Sequence, residues 1–185
     1  MIAEIQNEAS TKMSNAVDHA REDLSTIRTG RAHPAMFNRI QADYYGAPTP
    51  LQQLATFTST DPRSMLITPF DRSAIGAIEK AIRDADLGVN PSNDGNAVRI
   101  VMPQLTEDRR KEYIKVARTK AEEARVAIRN NRRHAVDAVK KLAKDKEIGE
   151  DDAKSAEKHL DTVTKKYEEQ VNDLLKAKEA ELLEV

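Results

Sequence analysis

The sequence has no cysteine and no tryptophan among its 185 residues, and aromatic residues make up only 4% of it. Without cysteine, the chain can form neither disulfide bonds nor thiolate metal sites. No run of eighteen apolar residues occurs, and the N-terminal stretch MIAEIQNEAS lacks the basic flank and apolar core of a secretory signal. We therefore expect a soluble cytoplasmic protein that has no contact with a membrane.

Patterns that support catalysis are also missing. The four histidines are scattered and form no HxxxH or HExxH spacing, and the chain contains no glycine-rich phosphate loop and no GxSxG motif. The sequence therefore predicts no metal site and no cofactor, and it offers no positive evidence for an enzyme.

Charge is plentiful, at 33% of residues, but it is unevenly distributed. Residues 105–146 contain 14 Lys and Arg against 7 Asp and Glu, whereas residues 147–185 contain 6 against 12. Two adjacent antiparallel helices of opposite charge would attract each other, which accounts for part of this pattern. It does not explain why arginines concentrate in AIRNNRRHAV, residues 127–136.

Apolar residues three and four positions apart predict three long helices. The first runs to about Thr29-Gly30, the second starts at the N-cap Thr106 and the third follows Gly149. A single helix over 106–146 would be about 60 Å long. We predict that residues 1–29 pack against 106–185 as an elongated three-helix bundle, in which Asn131 interrupts the apolar face of the second helix.

The segment 30–105 has a different pattern. Alternating β-branched residues predict strands, and a short helix runs from Asp71 or Ser73 to about Ala85. The predicted strands are 36–45, 54–59, 64–68, 87–90 and 97–102, while the prolines of 46–50 are expected to exclude a regular element. We predict an α+β fold in which this module is inserted between helices one and two through two short crossings, an arrangement typical of a hinge.

The arginines of the second helix share one face. Helical geometry places them within an arc of roughly 100°, and no acidic residue occurs between Glu123 and Asp137. They are Arg118, Arg125, Arg129, Arg132 and Arg133. One interpretation is a solvated face that pairs with acids of the third helix. The other is a contact with nucleic-acid phosphates, which the choice of Arg over Lys favours because the guanidinium fork matches a phosphate.

Five strings occur in an order that resembles bacterial ribosome recycling factors. They are LSTIRTGRA at 24–32, YYG and PTPL at 44–51, EKAI with DLGVNP at 79–91, PQLTE at 103–107 and RNNRR at 129–133. The resemblance covers essentially the whole chain. It implies a three-helix bundle with a hinged β/α/β domain, in an L shape that resembles transfer RNA.

The resemblance also implies a function. Such a factor occupies the large ribosomal subunit after termination and, with elongation factor G and GTP hydrolysis by that partner, separates the subunits. The implied contacts to 23S-type ribosomal RNA fall on Arg132, with Arg129 and Arg133 beside it, and secondarily on Arg28, Arg31 and Arg110. The implied hinge comprises Gly30, Arg31, Gln104, Leu105 and Thr106. We expect a monomer without enzymatic activity. One alternative is a coiled-coil or chaperone-like interaction protein. Another is an RNA-modifying enzyme, against which the absence of a recognisable set of catalytic residues argues.

Overall fold

Residues 1–184 are described by the computed structural model, and they form two units. Residues 1–27 and 108–184 make up a bundle unit of long helices, and residues 28–107 make up an insert unit that contains the strands. The predicted α+β class, a long helical bundle with a small β-containing domain, is confirmed. The hinge between the two stays a prediction.

The bundle unit contains α1 (Ile2–Ser25), α4 (Glu107–Lys144) and α5 (Glu150–Leu183). Each helix buries a stripe of residues at intervals of three and four, as an amphipathic helix does. In α1 the stripe comprises Ala9, Met13, Val17, Ala20 and Leu24. In α4 it comprises Ala117, Ala121, Ala124, Ile128, Ala135 and Val139.

The core of the bundle unit is divided into two clusters at Asn131. One cluster includes Ile128 of α4 with Met13 and Val171, and the other includes Val139 with Ala9 and Leu160. Asn131 lies between them and lines a cleft of about 120 Å³ between α1 and α4. The apolar stripe of α4 is therefore interrupted at the half-buried Asn131, as the sequence predicted, and the gap between the two clusters lies beside a solvent-open cleft that polar side chains also line.

The ends of the helices have local causes. Lys146 ends α4 in a left-handed conformation (φ 60°), and the N–H groups of Lys146 and Glu147 donate to the carbonyls of Ala143 and Leu142. This is the hydrogen-bond pattern of a Schellman cap, with lysine where glycine is usual. Helix α5 then begins with the acids Glu150–Asp152 in its first turn, where the helix dipole favours them.

The predicted end of the first helix, at Thr29-Gly30, is wrong by about one turn. Helix α1 ends at Ser25, where the hydroxyls of Ser25 and Thr26 donate to the carbonyls of Glu22 and Asp23. Such bonds take up carbonyls of the last turn, and the β-branched residues that follow have low helix propensity.

The insert unit contains two antiparallel sheets. Strands β1 (Gln41–Tyr44) and β2 (Ala47–Pro50) form a hairpin, followed by the one-turn helix α2 (Leu51–Leu54). The second sheet has the order β3-β4-β6-β5, and α3 (Ile75–Asp84) packs on the same core. Its strands are β3 (Ala55–Asp61), β4 (Ser64–Pro69), β5 (Ser92–Asn93) and β6 (Val98–Val101). One cluster of large side chains, which includes Phe37, Met65 and Ile82, fills the unit.

Two sequence predictions fail in the insert unit. Residues 47–50 are a strand. Tyr45 and Gly46 both adopt the positive φ that a two-residue hairpin turn needs, so the chain can reverse after β1. The prolines are tolerated because a two-stranded sheet has open edges, where a backbone N–H is not required. Residues 87–90 are not a strand, since Asp86 and Gly88 take left-handed conformations that an extended chain cannot hold. The edge strand is Ser92–Asn93 instead.

Candidate nucleic-acid interface

Four arginines of α4 lie side by side along its boundary with α5. In each of them the guanidinium Nε donates to an acceptor on α5. The pairs are Arg118 to Glu179 at 2.7 Å, Arg125 to Asn172 at 3.2 Å, Arg129 to Glu168 at 2.8 Å and Arg132 to Asp161 at 2.6 Å. We call this row of four pairs the arginine ladder.

The spacing of the arginine ladder follows from antiparallel packing. From Arg118 to Arg125 to Arg129 the positions advance by seven and then four residues, while their partners recede by seven and then four. Steps of four and seven keep residues on one helix face. Matching steps on two antiparallel helices therefore place the pairs opposite one another.

The arginines are not an uncompensated charged face, as the absence of acids between Glu123 and Asp137 suggested. Acids of α5 pair with Arg118, Arg129 and Arg132, as the alternative interpretation expected. Glu122 of α4 adds a second contact, at 3.3 Å to Arg125 and 3.5 Å to Arg129. Local spacing could not identify these partners, which lie 29 to 61 residues away in sequence.

Three of the four ladder arginines stay accessible to solvent, whereas the side chain of Arg125 is only 17% exposed. The side chain of Arg132 is 44% exposed and that of Arg129 is 52% exposed. The hydrogen bond from Arg129 to Glu168, reinforced by the charge of that carboxylate, raises the pKa of the guanidinium above its usual value. The surface therefore offers fixed cations to an incoming anion.

Two other predicted contacts of the bundle unit differ from the ladder. Arg133 is exposed and, within residues 1–184, has no hydrogen bond or ion pair. Arg110 is half-buried, and its Nε is a buried nitrogen for which the described chain supplies no hydrogen-bond partner. Neither arginine is held by an acceptor on α5.

The secondary candidates Arg28 and Arg31 belong to the insert unit. Arg28 is exposed, and its Nη2 donates to the carbonyl of Asp86 at 3.2 Å. Its guanidinium also lies close to Gly88, since a Cβ at that position would be 2.8 Å from Arg28 Nη1. The backbone N–H of Arg31 donates to the hydroxyl of Thr29 at 3.4 Å. The structure thus collects Arg118, Arg125, Arg129 and Arg132 on one surface of the bundle unit and does not add these two to the ladder.

The residues of the implied hinge lie in irregular segments of the insert unit. Gly30 has a positive φ of 77°, a conformation for which glycine is suited. Gln104 and Leu105 lie between β6 and α4, and Thr106 immediately precedes α4. Their role as a hinge stays a prediction.

Among residues 1–184, no three His, Asp or Glu side chains are grouped so that they could hold a metal ion. No helix in the same range is both long and apolar enough to span a bilayer.

Comparisons with known proteins agree with the resemblance. The family model of the ribosome recycling factor matches residues 20–183. The chain is 62% identical to the ribosome-recycling factor of Cutibacterium acnes and 63% identical to that of Streptomyces avermitilis, with 100% of both chains covered in each case.

Solved structures give the same result. A solution structure of the ribosome recycling factor is 38% identical, with a TM-score of 0.82 and coverage of 100% of this chain and 98% of the other. A second structure is 44% identical, with a TM-score of 0.70 and 99% of both chains covered. It describes the T. thermophilus ribosome recycling factor and E. coli elongation factor G bound to the E. coli post-termination complex.

Proposed function

Because this chain belongs to the ribosome recycling factor family, we propose that it recycles ribosomes after termination. It binds the large subunit of the post-termination complex and, with elongation factor G and GTP hydrolysis by that factor, separates the two subunits. The structural relative bound to such a complex together with elongation factor G supports this proposal. The activity belongs to the cytoplasm, and the chain itself contributes binding and leverage rather than catalysis.

The arginine ladder supports contact with ribosomal RNA. It places several accessible guanidinium groups in one row on a long helix, and a guanidinium binds a phosphate through two parallel N–H donors. No aromatic ring is among the ladder residues, so the surface suits the backbone of folded RNA better than stacked single-stranded bases. We assign Arg132 the central contact, with Arg129 and Arg133 beside it.

The remaining predicted contacts are assigned smaller roles. Arg28, Arg31 and Arg110 are secondary contacts, since none of them belongs to the ladder. Residues 30–31 and 104–106 would act as the hinge through which the predicted inserted module of 30–105 changes its angle relative to the predicted bundle of 1–29 and 106–185. The irregular backbone at these positions supports that role.

Binding to purified large ribosomal subunits tests the RNA contact. Arg132→Ala should weaken binding and reduce the dependence of log K on log salt by about one unit. Arg21→Ala is the matched control, because Arg21 on α1 also pairs with an acid, Asp18 at 2.8 Å, but lies outside the ladder. Binding that is unchanged in Arg132→Ala while the circular dichroism spectrum is native would refute the assignment.

A subunit-splitting assay with elongation factor G and GTP tests the function itself. The wild-type chain should convert post-termination complexes into free subunits, and the Arg132→Ala variant should need a higher concentration for the same rate. A chain that binds subunits yet never splits complexes would favour the alternative of an interaction protein.

A further inference from the structure

All four ladder arginines use the same atom toward α5. The Nε donates to the acceptor, and for Arg118 and Arg132 the described chain provides no partner for Nη1 or Nη2. The guanidinium is planar and carries its five N–H donors in a fixed arrangement. In Arg118 and Arg132 the bond at Nε therefore fixes the plane of the group and leaves the outer Nη pair free, whereas in Arg125 and Arg129 Nη1 also contacts Glu122.

We infer that the α5 acceptors, with Asp161 first among them, are positioning residues that aim the arginine forks at RNA phosphates. This inference rests on the proposed function, because it concerns how the same surface binds ribosomal RNA. A phosphate is held through two parallel N–H groups, which the free Nη pair supplies. The acid thus acts through the arginine and does not touch the RNA.

Stabilisation of the fold is a weaker explanation for the arginine ladder. The side chains of the Arg132–Asp161 pair are 44% and 49% exposed, and those of Arg118 and Glu179 are 66% and 26% exposed. Ion pairs this accessible to solvent contribute little to folding. Their regular use of Nε is better explained by the orientation that it imposes.

Simple charge neutralisation also fails to explain every pair. Arg125 donates its Nε to the amide oxygen of Asn172 at 3.2 Å, so one rung of the ladder uses an uncharged acceptor. The four pairs share an oxygen acceptor on α5 that lies within hydrogen-bond distance of the arginine Nε. A carboxylate near bound RNA would by itself repel the phosphates. The charge of the α5 acids alone would therefore weaken RNA binding.

The neighbouring Arg133 illustrates the opposite case. It is exposed and, among the described residues, has no acceptor. A free arginine must lose side-chain rotamer freedom when it binds a phosphate, and this loss weakens binding. A ladder arginine has lost part of this freedom already, before the RNA arrives.

Two substitutions of Asp161 separate positioning from charge. Asp161→Asn and Asp161→Ala remove the same negative charge, but only Asn keeps an oxygen that can accept from Arg132 Nε. Binding of each full-length variant to large ribosomal subunits should be measured over a range of salt concentrations. We expect Asp161→Ala to bind roughly three- to tenfold more weakly than Asp161→Asn.

The matched controls use another acid of α5 and a double variant. Asp173 is exposed and has no hydrogen bond or ion pair among residues 1–184, so Asp173→Ala and Asp173→Asn should bind equally. In an Arg132→Ala background, the difference between the Ala and Asn variants of Asp161 should disappear. Melting by circular dichroism should show that all variants fold.

The outcomes distinguish the two levels of the proposal. If Arg132→Ala weakens binding but Asp161→Ala and Asp161→Asn bind equally, the positioning role is overturned and the RNA contact stands. If Arg132→Ala binds like the wild type, the RNA contact itself is refuted, and the inference falls with it. Equal gains in affinity for both Asp161 variants would show that the acid only repels RNA.

Discussion

The bundle unit and the insert unit bury different kinds of side chain. Eight alanines are buried in the three long helices: Ala9, Ala20, Ala117, Ala121, Ala124, Ala135, Ala153 and Ala156. The insert unit instead buries large residues such as Phe37, Leu51 and Met65 in one cluster. Alanine lets helices approach closely but buries little area per residue, so the bundle unit distributes its stability along its length.

The surfaces of the two units differ in a related way. Long helices with a thin apolar stripe leave most of their positions for charged residues, and the bundle unit uses them for the arginine ladder. The aspartates of the insert unit accept from nearby backbone N–H groups, as Asp71 does from Ser73 and Asp94 from Ala97. Charge thus caps local structure in one unit and forms an extended, accessible surface in the other.

The largest expected effect comes from truncation of the two kinds of core. Phe37→Ala should destabilise the insert unit by about 3–5 kcal/mol and Leu160→Ala the bundle unit by about 2–5 kcal/mol. Because the insert unit has one cluster, amide exchange should accelerate throughout β3, β4 and β6 in Phe37→Ala. In Leu160→Ala it should accelerate mostly around Ala9 and Val139, which share the cluster of Leu160.

Hydrogen exchange followed by NMR or mass spectrometry would measure both patterns. Equal acceleration along the full length of α1, α4 and α5 in Leu160→Ala would show that the two clusters of the bundle unit unfold as one. The division of the core at Asn131 would then not separate two parts that unfold independently.

Filling the gap at Asn131 should join the two clusters of the bundle unit. Asn131→Leu replaces a polar side chain beside the cleft with an apolar one, and we expect stabilisation of roughly 1 kcal/mol, measured by thermal unfolding with far-UV circular dichroism. Asn131→Ala is the control, because it improves helix propensity similarly without filling the cleft. Equal stability of the two variants would contradict the cavity-filling explanation.

A smaller gain is expected at the end of α4. Lys146 holds a left-handed conformation that costs an L-residue roughly 1–2 kcal/mol, and glycine adopts it without that strain. Since glycine also raises the entropy of the unfolded chain, Lys146→Gly should stabilise the bundle unit by only about 0.5–1 kcal/mol. A loss of stability in chemical denaturation would show that Lys146 makes a compensating contact.

The smallest effect concerns acid. The backbone N–H and hydroxyl of Ser73, with the hydroxyl of Tyr44, hold the pKa of Asp71 below its usual value of 3.8. Because the pKa is lower in the folded state, this stabilisation is complete above the unfolded value and is lost as the pH falls through the folded one. Backbone N–H groups lower the pKa of Asp61 and Asp94 as well, so the insert unit should weaken below about pH 4.

Asp71→Asn isolates the contribution of one aspartate. Asp71 is the N-cap of a short 3₁₀ helix, Arg72–Ala74. Asparagine can still accept at this position but does not titrate, so the acid-induced loss of stability of the insert unit should be smaller than in the wild type. NMR of insert-unit amides during an acid titration would follow this change. An identical acid profile in both proteins would show that Asp71 is not one of the groups responsible.

Much of the fold was accessible from sequence because it depends on local patterns. The intervals of three and four predicted α1, α4 and α5, and alternation predicted β3, β4 and β6. Strand β2 was missed because its two prolines obscured a hairpin that depends on positive φ at Tyr45 and Gly46. The end of α1 was misplaced because side-chain hydroxyls, and not the later glycine, end that helix.

The candidate site was predictable only in part. The arginines of α4 stand out by residue type and spacing, whereas their acceptors on α5 do not. Asp161, Glu168 and Glu179 are ordinary helix-surface acids until the position of α5 along α4 is known. Matching steps of seven and four residues on the two helices are the signal that could have identified Glu168 and Glu179. Asp161 does not follow it, because it lies seven residues from Glu168 while Arg132 lies three residues from Arg129.

Residue types and their spacing are therefore enough to show that three amphipathic helices flank a mixed insert along the chain, that arginines gather on one helix, and to which family the chain belongs. These properties follow from residue type and local periodicity. The acceptor that each ladder arginine faces and the division of the bundle core at Asn131 are visible only once the helices are packed together. Both depend on how far one helix slides along another, which the packing of many side chains sets together and no local stretch encodes.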